Sequence, residues 1–488
     1  MNFPRAPVLS SVAGRTAVID DAESTLGRSV RASLQASGMA VAAGEAVPDL
    51  YCALSPFHGP FGPRTRSSKP SRARIRAMAT AMARRGRGRM VLVTTEQSRQ
   101  VFSSAGARQA ALQAGELHWW RHLAAEFAPR GVLINMIALG YAPFAGHSLP
   151  PEAERDYYRY LAIRRPAHSD DLAASLLFLA SDDCTAMVGQ VLSLSGGLGL
   201  CPIPAPSKAT PTQESPPPER GVQAPVGSNP FLLQGRTAIV FGASSGIGRA
   251  TALELAARGA AVAIVARSTD ALDSVVSEIT SAGGTALAIA GDVLEPGAIE
   301  SAVQRVWREL GGLDSLIYAA GYMPLQSGDT GKEGWQRTFG VNLDGFVRAS
   351  EAAIASWVER RRPGTIVSVS SIGAHEAVIV PNFESYGASK AAMTQYTRCL
   401  ARTWARHGIR ANCIQPGIVR TPMAEWIHPR FQAGWIARMP IERLCEPEEI
   451  ARPIAYLASP ASDYVTGEVV KVDGGFVLGR IPPLGDAP

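Results

Sequence analysis

Tyr386 and Lys390 stand four residues apart at the start of a helical stretch, YGASKAAMTQYTRCLARTWA, so both project from one face. A phenol with a pKa near 10 is a poor base at neutral pH. A lysine ammonium beside it, with the positive charge of an oxidised nicotinamide, would stabilise the phenolate and lower that value. That suits Tyr386 to donate or accept a proton, while Lys390 would also hold a nicotinamide ribose. Upstream, SVSSIG offers two hydroxyls, Ser370 and Ser371, either of which could bind a substrate oxygen as charge develops on it. Ser371 is the expected one, with Ser370 buried in the preceding strand.

Such chemistry needs a dinucleotide alongside, and the chain has a place for one. An apolar run ends in Gly242-Ala-Ser-Ser-Gly246-Ile-Gly248 and enters a helix. Glycine lets the backbone approach a pyrophosphate, and the helix amino terminus supplies N–H donors. The next apolar run ends at Arg267 and Ser268. An acid there would bind the ribose hydroxyls of NAD, whereas an arginine pairs with the extra phosphate of NADP, so NADP(H) is favoured and NAD(H) possible. Asp292, before Val293 in GDV, is placed to accept from an adenine amino group.

The elements that must position these groups follow from the pattern. Between 235 and 475 seven short runs read TAIVFG, AAVAIVAR, ALAIAGD, SLIYAAG, TIVSVSS, RANCIQPG and EVVKVDG. Continuous Val/Ile/Ala runs predict strands buried on both faces, as in a parallel sheet covered by helices. The fold class is α/β, doubly wound, with a cofactor crevice at the carboxyl ends of the strands.

With these residues in view, 233–480 resembles the short-chain dehydrogenase/reductase family. The glycine motif, the Tyr386/Lys390 pair, Asn342 in VNLDG, Asn412, Pro416-Gly417 and Asp473-Gly474-Gly475 fall in family order. The resemblance implies a Rossmann-like domain and a catalytic tetrad of Asn342, Ser371, Tyr386 and Lys390, with Asn342 holding a water in a proton relay. It further implies cofactor contacts from Gly242, Ser244, Ser245, Gly246, Ile247, Gly248, Arg267, Ser268, Asp292, Val293, Ala320, Gly321, Tyr386, Lys390, Pro416, Gly417, Val419 and Thr421. Three departures stand out: Phe241 replaces the usual Thr, Tyr318-Ala319-Ala320-Gly321 lacks a sheet-stabilising Asn, and the segment between Ser371 and Tyr386 is longer than usual.

The 488 residues exceed one ordinary core, and the chain repeats itself. GRTAVIDDAESTLGRSV (14–30) lies over GRTAIVFGASSGIGRAT (235–251) at an offset of 221, whereas GVLINMIALG (131–140) lies over GIRANCIQPG (408–417) at 277 and LAASLLFLAS (172–181) over IARPIAYLAS (450–459) at 278. The first copy is therefore shorter by some 56 residues, in the region of the third strand and its helix. We expect a truncated Rossmann-like domain over 1–200, a proline-rich extended tether over 201–230, and the catalytic domain over 231–488. In the first copy Asp21 and Thr25 stand where the second has Gly242 and Gly246, and Gln109 and Gln113 where it has Tyr386 and Lys390. Asp20, Asp21 and Glu23 would repel a pyrophosphate. This half is expected to be chemically silent and to serve as a built-in pseudo-subunit, forming an intramolecular pseudo-dimer that assembles further into homo-oligomers.

Composition excludes other classes. Six scattered cysteines without a CxxC, and no nearby histidines, argue against disulfides or a metal site and for a reducing cytoplasm. No apolar run reaches the roughly 18 residues of a membrane span, and the start lacks the order of a secretory signal. Residues 64–89 hold ten Arg or Lys and no acid; without them a net charge of +6 becomes −4. This stretch is either a solvated helix face or a dock for an acidic partner, and nucleic acid is not expected because aromatic interleaving is lacking.

The substrate is less legible. Met423, Trp426, Ile427, Phe431, Trp435 and Met439 make an apolar segment suited to a bulky substrate. Arg362, Arg406 and His407 resemble the basic placement by which reductases grip an acyl-carrier protein. The favoured reading is an NADPH-dependent ketoreductase, on a small-molecule carbonyl or an acyl-carrier or CoA thioester. The alternatives are a dehydrogenase of a sterol- or terpenoid-like alcohol and a non-catalytic scaffold.

Overall fold

The computed structural model describes residues 12–42, 47–54, 71–96, 107–149, 151–200, 229–324, 331–375, 383–425, 427 and 429–479. Residues 201–228 of the proposed tether, Trp426 and the basic residues Arg64, Arg66 and Lys69 lie outside them.

In the first half the order is β1 (Thr16–Ile19), α1 (Thr25–Ala36), β2 (Ala40–Ala42), β3 (Leu50–Leu54), α2 (Arg72–Arg84), β4 (Gly88–Thr95), α3 (Ala107–Phe127), β5 (Val132–Leu139), α4 (Pro151–Tyr158), α5 (Ser169–Ala180) and β6 (Val191–Leu194). The second half begins β7 (Thr237–Phe241), α6 (Gly246–Ala257), β8 (Ala261–Ala266), α7 (Thr269–Ser281), β9 (Thr285–Ala290), α8 (Ala298–Leu310) and β10 (Ser315–Tyr318). It continues α9 (Gly331–Phe339), α10 (Gly345–Glu359), β11 (Gly364–Val369), α11 (Glu384–Trp404), β12 (Ile409–Pro416), α12 (Pro429–Arg438), α13 (Pro447–Ala458) and β13 (Val469–Val472).

The apolar runs form two parallel sheets, as their patterning predicts. Their orders are β2-β1-β3-β4-β5-β6 and β13-β12-β11-β10-β7-β8-β9. Strand for strand, β1 matches β7, β2 matches β8, and β3 to β6 match β10 to β13. Among the described residues β9 has no counterpart. Only residues 43–49 separate β2 from β3, too little chain to build another strand and its return helix. In the second sheet Phe241 pairs with Tyr318 and Tyr318 with Ser368, so the strands end level. The order changes direction between β7 and β10, which opens a crevice at the ends of those strands.

The halves pack against each other through α5, α13 and the segments around β6 and β13. Phe178 and Tyr456 occupy the same place in the two copies, and their rings stack at 4.1 Å and 4°. A position meets its own counterpart only on a two-fold axis, so the contact is isologous within one chain. The flanking contacts come in matched pairs. A Cβ on Gly189 would lie 2.6 Å from Leu478 Cδ1, and one on Gly467 would lie 2.4 Å from Leu200 Cδ1. Likewise Gly475 faces Val188 and Gly197 faces Thr466, each at 3.2 Å from a built Cβ. Arg165 grips Asp171 at 2.6 and 2.8 Å, as Arg443 grips Glu449 at 2.6 and 2.7 Å. Across the axis Arg258 pairs with Asp183 at 2.6 Å, both side chains largely buried.

Several arginines of the basic stretch pair within the first half. Arg74 pairs with Asp20 (3.3 Å), Arg76 with Glu126 (2.5 Å), Arg85 with Asp49 (3.0 Å) and Arg89 with Asp182 (3.7 Å). Arg72 lies over the Trp119 ring. Among the described residues no helix is long and apolar enough to cross a membrane, and no cluster of three metal-ligating side chains occurs.

Candidate active site

The turn from β7 into α6 is shaped by what surrounds it. Gly242 has φ +81°, and a Cβ there would lie 2.6 Å from the backbone of Ala320. A Cβ on Gly248 would lie 2.1 Å from the Gly242 carbonyl oxygen. A side chain at either position would force the turn open, so the glycines close it and leave the α6 amino terminus facing a cavity of about 890 Å³. That cavity is lined by every cofactor-contact residue expected from the sequence, from Gly242 to Thr421, and by Ser370 and Ser371. The glycine cradle and the helix terminus fit a dinucleotide pyrophosphate, with Arg267 and Ser268 at the β8–α7 junction. Ser268 also caps α7, its hydroxyl accepting from Ala271 N at 3.4 Å. Asp292 Oδ1 accepts from Leu294 N at 2.9 Å.

The catalytic candidates converge at the other end. α11 carries Tyr386 and Lys390, both buried, with the Lys390 Nζ 5.7 Å from the Tyr386 ring centroid. Lys390 Nζ donates to Val369 O at 2.8 Å, and a Cβ on Gly321 would lie 3.6 Å from it. The two serines separate by geometry. Ser370 donates to Lys390 O at 2.8 Å and accepts from Thr394 at 2.9 Å, which ties it to the helix backbone. Ser371 accepts from Gly373 N at 3.0 Å and lines the cavity with Tyr386, its hydroxyl close enough to act on the phenol. Burial pushes that phenol up to about 12, with Ser371 pulling the other way, and burial pushes Lys390 down to about 8. From the protein's own groups, then, Tyr386 is firmly protonated at neutral pH and poised as a proton donor.

Asn342 lies outside the cavity lining, fully buried in a π turn (Gly340–Asp344) between α9 and α10. Its Oδ1 accepts from Tyr322 N at 2.7 Å, and its Nδ2 donates to Tyr322 O (3.0 Å) and Ser389 Oγ (2.9 Å). The side chain thus ties the Tyr322 segment to α11, which leaves both amide protons engaged. The departures at Phe241 and Tyr318 compensate one another: their rings lie 5.8 Å apart, and Tyr318 donates to Val341 O at 2.6 Å, inside the π turn.

Of the apolar segment, Met423, Ile427 and Trp435 line the cavity. Met439 does not; it is fully buried in the core, against Gly474. Trp426 lies outside the described residues. Arg362 is held by Asp314 at 3.4 Å. Among the lining residues that sequence reasoning missed are Phe383, Arg337, Arg438 and Phe476. Phe383 packs 5.2 Å from the Tyr386 ring, and Arg438 lies over Phe476 at 5.0 Å. The DGG motif was the available signal for Phe476: Asp473 accepts from Gly475 N and Val477 N, each at 2.9 Å, and so sets that turn.

The corresponding place in the first half is differently furnished. Asp21 holds the left-handed turn with φ +60°, and a Cβ on Gly27 would lie 2.2 Å from Asp21 O. Asp20 is buried, which raises its pKa against the pull of Arg74. At the Ser371 and Lys390 positions, Thr95 donates to Gln113 Oε1 at 2.8 Å.

A family model and several known proteins match this chain. A family model described as Enoyl-(Acyl carrier protein) reductase matches residues 71–199 and 242–477, part of each half. The chain is 38% identical over 245 residues to cis-4-hydroxycyclohexanecarboxylate dehydrogenase of Sinomonas cyclohexanicum, covering 49% of this chain and 96% of that one. It is 34% identical over 248 residues to the 3-oxoacyl-[acyl-carrier-protein] reductase FabG of Thermotoga maritima, covering 50% and 99%. Among solved structures, a short-chain type dehydrogenase/reductase from Mycobacterium marinum matches at 36% identity and a TM-score of 0.47, covering 51% and 97%.

Proposed function

Because the chain belongs to the short-chain dehydrogenase/reductase family, in which its relatives are oxidoreductases, we propose that its second half is an NADPH-dependent ketoreductase and its first half a non-catalytic pseudo-subunit. The observation that carries this reading is the meeting of Tyr386, Ser371 and Lys390 on the wall of the cavity that also holds the glycine cradle. A bound reduced nicotinamide would supply the hydride. Ser371 holds the carbonyl oxygen, and Tyr386 gives it the phenolic proton as the carbon is reduced. Lys390, as an ammonium, then stabilises the phenolate left behind. Asn342 keeps Tyr322 and α11 in register, and the relay water of its family would have to meet it at an atom those bonds leave open. Arg267 supports NADPH over NADH, since a guanidinium at the end of β8 suits a phosphate.

The substrate is proposed to be a bulky apolar ketone or an acyl thioester, as the Met423, Ile427 and Trp435 wall favours. The same wall favours a second reading, oxidation of a sterol-like alcohol, and one relative is named 3beta-hydroxysteroid dehydrogenase 1. The five described cysteines are free thiols, which supports a reducing, cytoplasmic setting. The test is NADPH oxidation across acyl thioesters and cyclic ketones by wild type and Tyr386→Phe. Retained turnover in the variant would remove the mechanism, and absence of turnover in wild type would favour a scaffold. Arg267→Asp should move the preference toward NADH; an unchanged preference removes Arg267 from the cofactor argument.

A further inference from the structure

The turn after β13 brings Phe476 into the cavity wall near Trp435, with the Arg438 guanidinium over its ring. Asp473 secures this turn from within its own half. The other side is closed by residues of the silent half. Gly474 N donates to Ala186 O at 2.9 Å, buried Val188 backs Gly475, and Leu478 fills the space over Gly189 so tightly that a methyl there would lie 2.6 Å from it. The pseudo-two-fold repeats this device with the halves exchanged, Leu200 over Gly467 and Thr466 over Gly197. In that copy, however, the turn being held (Leu198–Leu200) belongs to the half that lacks the phenol and the amine.

We propose that residues 186–189 of the silent half are positioning residues for the substrate wall of the active half. By fixing the 474–478 turn they fix Phe476, and through it the Trp435–Arg438 end of α12, and so decide how bulky a ketone fits. The pseudo-subunit is then part of the specificity of the reaction, besides covering apolar surface. This rests on the reading that the second half reduces ketones.

The symmetry provides a matched control. Gly189 (φ +65°) and Gly467 (φ +72°) both sit in the left-handed region and both press on a leucine, so alanine at either imposes similar strain and a similar clash. In the full chain, kcat and KM would be measured for a bicyclic ketone (2-decalone), a small one (2-butanone) and NADPH, together with Tm. Gly189→Ala should raise KM for the bicyclic ketone by about five-fold or more, with kcat and the NADPH KM within about two-fold. Gly467→Ala should share the fall in Tm and leave each KM within about two-fold. Equal KM changes in the two variants, or none in Gly189→Ala, would overturn the proposal. If Gly189→Ala does not fold, Val188→Ala, which removes atoms instead of adding them, must show the same split, and its failure to do so is equally fatal. Wild type that turns over no ketone sinks the underlying reading and this proposal together, whereas active wild type without the split sinks only this one.

Discussion

The turns at 21–27 and 242–248 share the backbone demands of their first and last positions, differ at the helix entry, where Gly246 is left-handed (φ +52°) and Thr25 is not, and carry opposite chemistry. Both need a left-handed residue at the first position, φ +60° at Asp21 and +81° at Gly242. Both need glycine at the last, where a Cβ would strike the first residue's carbonyl oxygen at 2.2 or 2.1 Å. What differs is what the turn presents: carboxylates in one copy, bare backbone and a helix terminus in the other. Packing demands hold these positions whatever side chains the turn presents, because it still has to join β1 to α1 under a buried core. Retained shape is therefore weak testimony for retained activity, and the side chains decide.

That contrast can be broken at several points. The largest effect is expected from giving the active half the silent half's residue: Lys390→Gln should lower kcat about 10²- to 10³-fold in steady-state NADPH oxidation, while Gln113→Lys in the silent half should gain nothing. The second concerns the buried ammonium of Lys390, where the first half has the neutral Gln113. Burial lowers the Lys390 pKa to about 8 in the fold, against 10.5 for a free lysine, so between these the unfolded chain binds more protons and stability rises with pH. The rise should be about 2 kcal/mol from about pH 8 to 9.5, and it should flatten above about pH 10, where the raised Tyr386 value acts in the opposite sense. Urea denaturation of wild type beside Lys390→Met isolates the slope, which the variant should lack.

Third, Gly248→Ala and Gly27→Ala introduce the same steric fault. Each should lower Tm, and only Gly248→Ala should raise the dinucleotide KM, by about ten-fold. The smallest effect lies on the axis between the halves. Ser175 donates to Asp171 O, so Tyr456 is the donor in its 2.8 Å bond to Ser175. Tyr456→Phe should cost about 1 kcal/mol in denaturant unfolding and leave kcat unchanged. A drop in kcat would show that the axis and the site are coupled more directly than the geometry indicates.

Much of this molecule was legible from local rules. Tyr386 and Lys390 share a helix face because they are four apart, and buried parallel strands announce themselves as unbroken apolar runs such as TAIVF. Spacing could not separate the two candidate serines, since Ser370 and Ser371 are adjacent, and the bonds of Ser370 to α11 show which one the helix has claimed. Met439 misled because an apolar residue in a lid-like segment reads the same whether it faces a ligand or the core. The contacts at the axis were invisible for a deeper reason. Aligning Phe178 with Tyr456 shows that they are equivalent, but equivalence does not imply contact, which depends on a symmetry operation that no periodicity encodes.

The stacked Phe178 and Tyr456 rings have a consequence for how such a pair can change. Two identical molecules meeting on a dyad are obliged to offer each other the same residue, so any substitution is doubled. Here the partners are encoded separately, and a phenylalanine can face a tyrosine whose hydroxyl is received by a serine where the other copy has Pro453. Dilution cannot part them either, because their meeting is a first-order event whose odds do not depend on how many molecules are present.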